Sequence, residues 1–419
     1  MQDAQQHTQE QSGNASQVID HFFRHEWSKV LAFLTARFGT EHLELIEDAV
    51  QDALERAMQH WPYKGVPDKP SAWILQVARN RLIDNLRRQQ KQQDAPPPEQ
   101  TEDMPADWER NLPDDQLNMI FACCHPLLSA EQQVILSLRI LVGFGRREIA
   151  SALLKKEETI AKQLVRAKQK LKEAKVEMEV PGAEALPARL SVVLKIIYLI
   201  FNEGYKASAG DALLRQDLCL EALRLNGLLL SSTHVVHGDV PALQALMCFQ
   251  AARLPARMSS EGRLLTLEEQ DRNLWNQALI QEGAGWLRAT GEEHHSEYVI
   301  QAAMAATHSM APSYEATNWQ HLLDLYDAQL ALRPSPMVQL NRMVPFAQVH
   351  GADAAIAYLE KHPEREVFEE RYLYHALLGY LRAEKGEGQA ASAAYRAAAS
   401  RTDNQAEREY LLRQAERWE

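Results

Sequence analysis

The sequence predicts an all-α protein: two small helical modules followed by a longer helical region. Three observations carry that expectation. Glycine and proline number 18 each in 419 residues, together below the roughly 12% of ordinary usage, so few breaks interrupt the chain. Apolar side chains recur at steps of three and four in many segments, the spacing of one helix face. The C-terminal half shows no alternating strand pattern, and alanine and leucine recur throughout. An apolar fraction of 46% and a charged fraction of 24% argue against global disorder.

The first 16 residues are polar, Gln-rich and expected to fray. From Leu43 an apolar stripe runs through Ile46, Val50, Leu54 and Met58, with Asp48, Gln51, Asp52 and Glu55 on an acidic outer face. Three prolines and a glycine between Trp61 and Pro70 predict a loop. A second helix is expected from Ser71, stepping through Ile74, Ala78, Leu82 and Leu86, with cations crowded at its C-terminal end. The helix macrodipole alone favours such an end. Pro96, Pro97, Pro98, Pro105 and Pro113 then punctuate a Gln- and Asp-rich stretch, read as a flexible acidic linker over 91–113.

The second module, 114–175, opens on a capping box, Ser129 to Gln132, ahead of a helix with Val134, Ile135, Leu138 and Leu141 inside. Gly143-Phe144-Gly145 ends it. Two short helices around a turn at Lys155–Glu158 follow, with Ile149, Ala150, Leu153, Ile160 and Leu164 facing one another and the second helix strongly basic. That pattern is a helix-turn-helix, or else an ordinary basic α-hairpin. Leu154 stands at the turn position where glycine is usual.

Net charge is −12, which taken alone argues against nucleic acid. By segment it is −2 over 1–16, +1 over 17–93, −7 over 94–130, +6 over 131–175 and −10 over 176–419. Within the first module, 79–91 carries +4. The acidity therefore belongs to the linker and the tail, and the asymmetry points to nucleic-acid contact by the two modules.

Those residues carry a resemblance. Ile46–Met58, the Trp-Pro loop and Ser71–Arg88 resemble region 2 of the sigma-70 family, in particular the extracytoplasmic-function (ECF) group. Glu148-Ile149-Ala150, Thr159-Ile160 and Arg166-Ala167-Lys168 resemble its region 4. The resemblance implies an alternative sigma factor that binds core RNA polymerase and directs promoter recognition and initiation. It implies no enzyme activity and no cofactor. By position, Asp48, Gln51 and Asp52 become polymerase contacts. Trp73, Arg79, Asn80, Arg81, Asp84, Arg87 and Arg88 lie on the helix that reads the minus-ten element; Trp73 also reads as plain core. Arg147, Thr159, Lys162, Gln163 and Arg166 become candidates for the minus-thirty-five element. Region 2 is expected over 17–90 and region 4 over 114–175.

Residues 180–419 resemble the long C-terminal extension of one ECF subgroup, described as helical and tetratricopeptide-like. Telling stretches are Val193–Tyr205, Glu268–Arg272, Leu325–Asp327 and Ser335–Arg342. Gly351–Tyr358 and Gly388–Tyr395 align at a spacing of 37, and His375, Leu378, Gly379, Ala391, Tyr395 and Ala398 fit the repeat best. A tail of opposite charge to region 4 suggests an intramolecular regulatory contact.

Other features are read as structural. Cys123-Cys124-His125 lacks metal-site spacing and reads as a packed helix end. His294-His295 lacks a partner motif and follows a capping box at Thr290–Glu293. Asn202–Tyr205 with Asp217 reads as buried hydrogen-bonded structure. Four cysteines and no long apolar span point to a reducing, cytoplasmic setting without a membrane anchor. The competing reading is a tetratricopeptide scaffold fused to an ordinary helix-turn-helix regulator; a hydrolase in the tail has no motif behind it.

Overall fold

Every regular element among the described residues is a helix, and no β-strand forms. The computed structural model describes residues 26–93, 108–153, 155–205, 216–259, 263, 265–291, 294–402 and 404–419. The polar start, most of the expected linker and Leu154 lie outside them. The chain divides into two compact units: 1–200 with 227–236, and 201–226 with 237–419.

In the first unit, a helix at 26–38 (α1) buries Val30, Leu31, Phe33 and Leu34. Gly39, at φ 89°, turns the chain into α2 (Leu43–Lys64), which packs on α3 (Pro70–Gln93). The predicted stripe holds at Ile46 and Val50, both fully buried, but fails at Met58, which is 56% exposed. Steps of four advance about 40° beyond each full turn, so the stripe drifts out of the core by Met58. Ala53 and Ala57 are fully buried instead, as are Ile74, Ala78 and Leu82 of α3.

The expected loop is also shorter. α2 continues through Trp61 to Lys64, and Gly65, at φ 82°, closes it by donating its N–H to the Trp61 carbonyl at 3.0 Å. Pro62 removes one helical hydrogen bond, too little to stop a helix whose inner face is buried. Pro70 opens α3, where its missing N–H costs nothing.

α4 (Trp108–Cys123) starts five residues before Pro113, so the last part of the expected linker is helical. α5 (Ala130–Ile140) begins as predicted: the Gln132 N–H donates to Ser129 Oγ at 3.3 Å, and the Ser129 N–H to Gln132 Oε1 at 3.1 Å. Gly143, at φ 78°, breaks the chain before α6 (Arg146–Ala152) and α7 (Glu157–Ala174). α7 packs on both α5 and α6, burying Ile149, Ala150, Ile160 and Leu164. α8 (Leu186–Tyr205) and α9 (Gln216–Ser231) follow.

The second unit is built round α10 (Asp239–Ala252), a helix buried on nearly every side, with α11 (Gln277–Ala289) and α12 (Glu297–Met310) packed on it. The polar cluster expected around Tyr205 is structural. Tyr205 Oη accepts from Arg253 Nη2 at 2.6 Å, and Arg257 donates to the Tyr205 carbonyl at 2.5 Å while lying over its ring. Beyond come α13 (Trp319–Leu332), α14 (Pro336–His350), α15 (Ala352–Lys361), α16 (Arg365–Glu369), α17 (Tyr372–Glu384), α18 (Gly388–Ala399) and α19 (Gln405–Arg417). Sequence neighbours pack as pairs: α13 with α14, α17 with α18, and α18 with α19. A cavity of about 380 Å³ in this unit is lined by Tyr314, Tyr326, Tyr380, Tyr395 and Tyr410, with Glu268 beside them.

The two segments that align at a spacing of 37 differ in register by one residue. Gly351 precedes α15 as its N-cap, whereas Gly388 is the first residue of α18. Aligning the glycines sets exposed Tyr358 over buried Tyr395; burial instead pairs Ala355 with Ala391 and Leu359 with Tyr395. The close approach in the last repeat is at Gly379, where a Cβ would lie 2.8 Å from Cγ and Cδ1 of the Tyr395 ring. Gly379→Ala should therefore lower stability by about 1–3 kcal/mol, despite alanine's better helix propensity. Chaotrope unfolding measures it; an unchanged or raised midpoint would show that α17 and α18 separate freely.

Candidate nucleic-acid interface

In the first module, α2 and α3 bring the expected polymerase and minus-ten residues onto neighbouring surfaces. Asp48 and Gln51 are exposed, and Gln51 Nε2 donates to Glu55 Oε1 at 2.9 Å. Asp52 is paired within the module: Arg81 Nε donates to its Oδ2 at 2.6 Å, with both side chains about one-third exposed. A residue expected to face polymerase thus holds one expected to face DNA. Pairs this exposed are worth about 0–1 kcal/mol and exchange readily for another partner. Asp84, Arg87 and Arg88 project to solvent, Asn80 accepts from Gln76 Nε2 at 2.9 Å, and Arg79 is half-buried.

Trp73 is half-buried, edge-on to Trp61 with centroids 5.7 Å apart. Next to it, the end of α2 presents Tyr63 at 89% exposure, and the turn after it presents Val66 at 63%. An exposed aromatic ring beside a cationic helix can stack on an unpaired base. Sequence reasoning passed over Tyr63 by assigning it to a loop. Its signal was an aromatic off the apolar stripe.

In the second module, the α6–α7 pair forms the predicted helix-turn-helix. Arg147 is almost fully exposed, 3.4 Å from Glu157; Lys162 and Arg166 are exposed on α7, and Thr159 is half-buried beside them. Gln163 turns inward, its Oε1 accepting from Gln132 Nε2 of α5 at 3.2 Å. The exposed cations therefore share one face without Gln163.

Sequence reasoning also missed Glu47, which joins the two modules. Its side chain is 4% exposed. Arg139 Nε of α5 donates to Glu47 Oε1 at 2.8 Å, and Lys168 Nζ of α7 pairs with Oε2. The Arg139 guanidinium lies over the Trp27 ring, whose Nε1 donates to the Arg139 carbonyl at 3.3 Å. Thr40 Oγ1 donates to the Val176 carbonyl at 2.7 Å, and Arg37 to Asp115 Oδ2 at 3.0 Å. A cleft of about 420 Å³ between α2 and α7 is lined by Glu44, Asp48, Lys168 and Lys172. Partial burial there, then Glu44 and Glu47, hold the Asp48 carboxyl above the usual aspartate value against the pull of Lys168. The available signal was an acid set into the core stripe between Ile46 and Val50.

The cysteine pair is inert. Cys123 and Cys124 are 1% exposed, and burial pushes the Cys124 thiol up to about 12 and the Cys123 thiol well up. Neither is a thiolate at neutral pH.

One module is thus a helical hairpin with an exposed aromatic ring and exposed cations, and the other a helix-turn-helix with an exposed cationic face. Residues 22–92 match Sigma-70 region 2, and residues 118–171 match Sigma-70, region 4. Residues 189–291 match a family of unknown function (DUF6596). An uncharacterized protein of Rhizobium meliloti (strain 1021), R00370, is 37% identical over 383 residues, 89% of this chain and 90% of its own length. No solved structure matches. The chain belongs to the sigma-70 family, as an ECF-type sigma factor with a C-terminal extension. The family is non-catalytic and acts in promoter recognition and transcription initiation with core RNA polymerase and promoter DNA. Among the described residues, no helix is long and apolar enough to cross a membrane.

Replacing the buried acid by Glu47→Gln leaves Arg139 and Lys168 without their counter-charge. It should cost about 2–3 kcal/mol, below the value for fully buried pairs because both cations are about one-fifth exposed. Urea unfolding measures the loss; a loss under 0.5 kcal/mol, on the order of an exposed pair, would show that Glu47 does not hold the modules together.

Proposed function

We propose that this sigma factor reads its promoter through Arg87 and Arg88 of α3, through Tyr63 at the end of α2, and through Arg147, Lys162 and Arg166 of α6–α7. In this reading Asp48, Gln51 and Asp52 of α2 meet core polymerase. Arg79, Asn80, Arg81 and Asp84 complete the minus-ten surface, with Thr159 and Gln163 at the margin of the other. The observation that carries it is the pairing of two exposed cationic faces in a chain of net charge −12. Cations placed so against the overall charge suit phosphate neutralisation. Tethering two such faces makes the second promoter contact effectively intramolecular.

The test is run-off transcription by the purified chain with core polymerase on promoters from its own genome. Promoter-specific initiation is expected. DNA binding without any initiation would favour the reading of a helical scaffold fused to an ordinary regulator. The Arg87→Ala, Arg88→Ala double variant should weaken promoter binding and lower the salt slope by about 2, one for each phosphate no longer neutralised. An unchanged slope would remove these arginines from the interface.

We further propose that the extension, with its helix pairs of tetratricopeptide-like form, regulates the sigma modules by contacting them. Its charge of −10 over 176–419 is opposite in sign to the +6 of 131–175. Ending the chain after residue 236 keeps the whole first unit and should change promoter output. Unchanged output and unchanged polymerase binding would sink the idea.

A further inference from the structure

The sequence leaves His294 without a partner, and the structure supplies two. Glu293 of the expected capping box lies outside the described residues. Thr290 ends α11, its hydroxyl donating to the Leu287 carbonyl, and Ser296 caps α12 instead. His294 lies in the connector between those helices and reaches the start of α10. There its Nε2 is 2.8 Å from Asp239 Oδ1. His237, in the connector before α10, has Nδ1 3.9 Å from Asp239 Oδ2, and its ring stands edge-on to His294 with centroids 5.3 Å apart. One ligand atom from each of the three side chains falls within 4.8 Å of the others.

We propose that His237, Asp239 and His294 form a binding site for a divalent first-row transition metal. Two imidazoles and a carboxylate suit borderline ions such as zinc, and three protein donors leave a coordination position open to water or a small ligand. Bonds of about 2.0–2.1 Å put tetrahedral ligand atoms roughly 3.4 Å apart, so closure needs side-chain rotation of little more than 1 Å. The side chains are 21–36% exposed, open enough for an ion to enter from solvent.

The backbone makes room for this cluster. A Cβ at Gly238 would lie 2.5 Å from Cγ and Cδ2 of His294. Only glycine lets the imidazole lie across the chain between His237 and Asp239. An isolated His–Asp ion pair needs one histidine; here a second histidine converges on the same carboxylate. A bound ion would tie the connector before α10 to the one before α12.

The test uses the full chain, stripped with a chelator and titrated with zinc chloride in competition with a chromophoric chelator. Fifteen histidines offer weak sites elsewhere, so the variants decide. One tight equivalent is expected. Asp239→Asn and His294→Ala should each weaken it at least about tenfold, and Gly238→Ala should weaken it while keeping all three donors. Absence of a tight equivalent, or affinity unchanged in these variants, overturns the proposal. A second measurement needs no variant: diethyl pyrocarbonate labelling of the wild-type chain, read by peptide mass. Protection of His237 and His294 by zinc supports the site, and equal labelling with and without zinc overturns it.

Discussion

The first unit depends on one buried carboxylate. Glu47 is the acid that α2 carries into its own core stripe, and an uncompensated charge there would cost several kcal/mol. Arg139 from α5 and Lys168 from α7 supply the compensation, so the charge can be buried only when the second module is docked. The pair need not stabilise more than an apolar contact would, but it is selective. An apolar stripe tolerates a slip by a turn, whereas one acid between two fixed cations does not. Trp27 and Arg139 reinforce the same point, since that arginine is held by a ring, a carboxylate and the Phe144 carbonyl together.

That constraint explains how an acidic protein serves a DNA-binding family. The cations of 131–175 fall into two groups. Arg139 and Lys168 are consumed inside the unit, and Arg147, Lys162 and Arg166 remain exposed. Net charge, even segment by segment, does not separate them. The separation comes from which side of a helix faces the partner module.

What was legible in the sequence was whatever local chemistry decides. The Ser129–Gln132 box, the break at Gly143 and the helix-turn-helix core rest on residues three to four apart, and all three form. The misreadings share a different cause. The Met58 end of the stripe, the short loop after Lys64 and the repeat register each depend on where a helix starts or how far its face rotates, which composition does not fix. The Asp52–Arg81 pair, the Glu47 clasp and the His237–Asp239–His294 cluster join residues 29, 92 and 55 positions apart. No single sequence pattern encodes such distances. Of the expected site residues, Gln163 is the one the fold turns away from the exposed face, because Gln132 of the capped helix claims its amide.

The geometry of α7 then bears on how the closed unit can work. Lys168 and Arg166 are two residues apart, roughly 200° around a helix, so the clasp and the exposed cations lie on opposite sides. Lys162 and Arg166 can be engaged from solvent without disturbing Lys168. Asp48 is placed differently, since it shares the α2–α7 cleft with Lys168 and Lys172, and partial burial with Glu44 and Glu47 holds its carboxyl above the usual aspartate value. Asp48 is exposed in that cleft, while Asp52 is held in a partly exposed pair with Arg81. The Asp52–Arg81 pair is worth about 0–1 kcal/mol, whereas the Asp48 carboxyl feels Lys168 of α7.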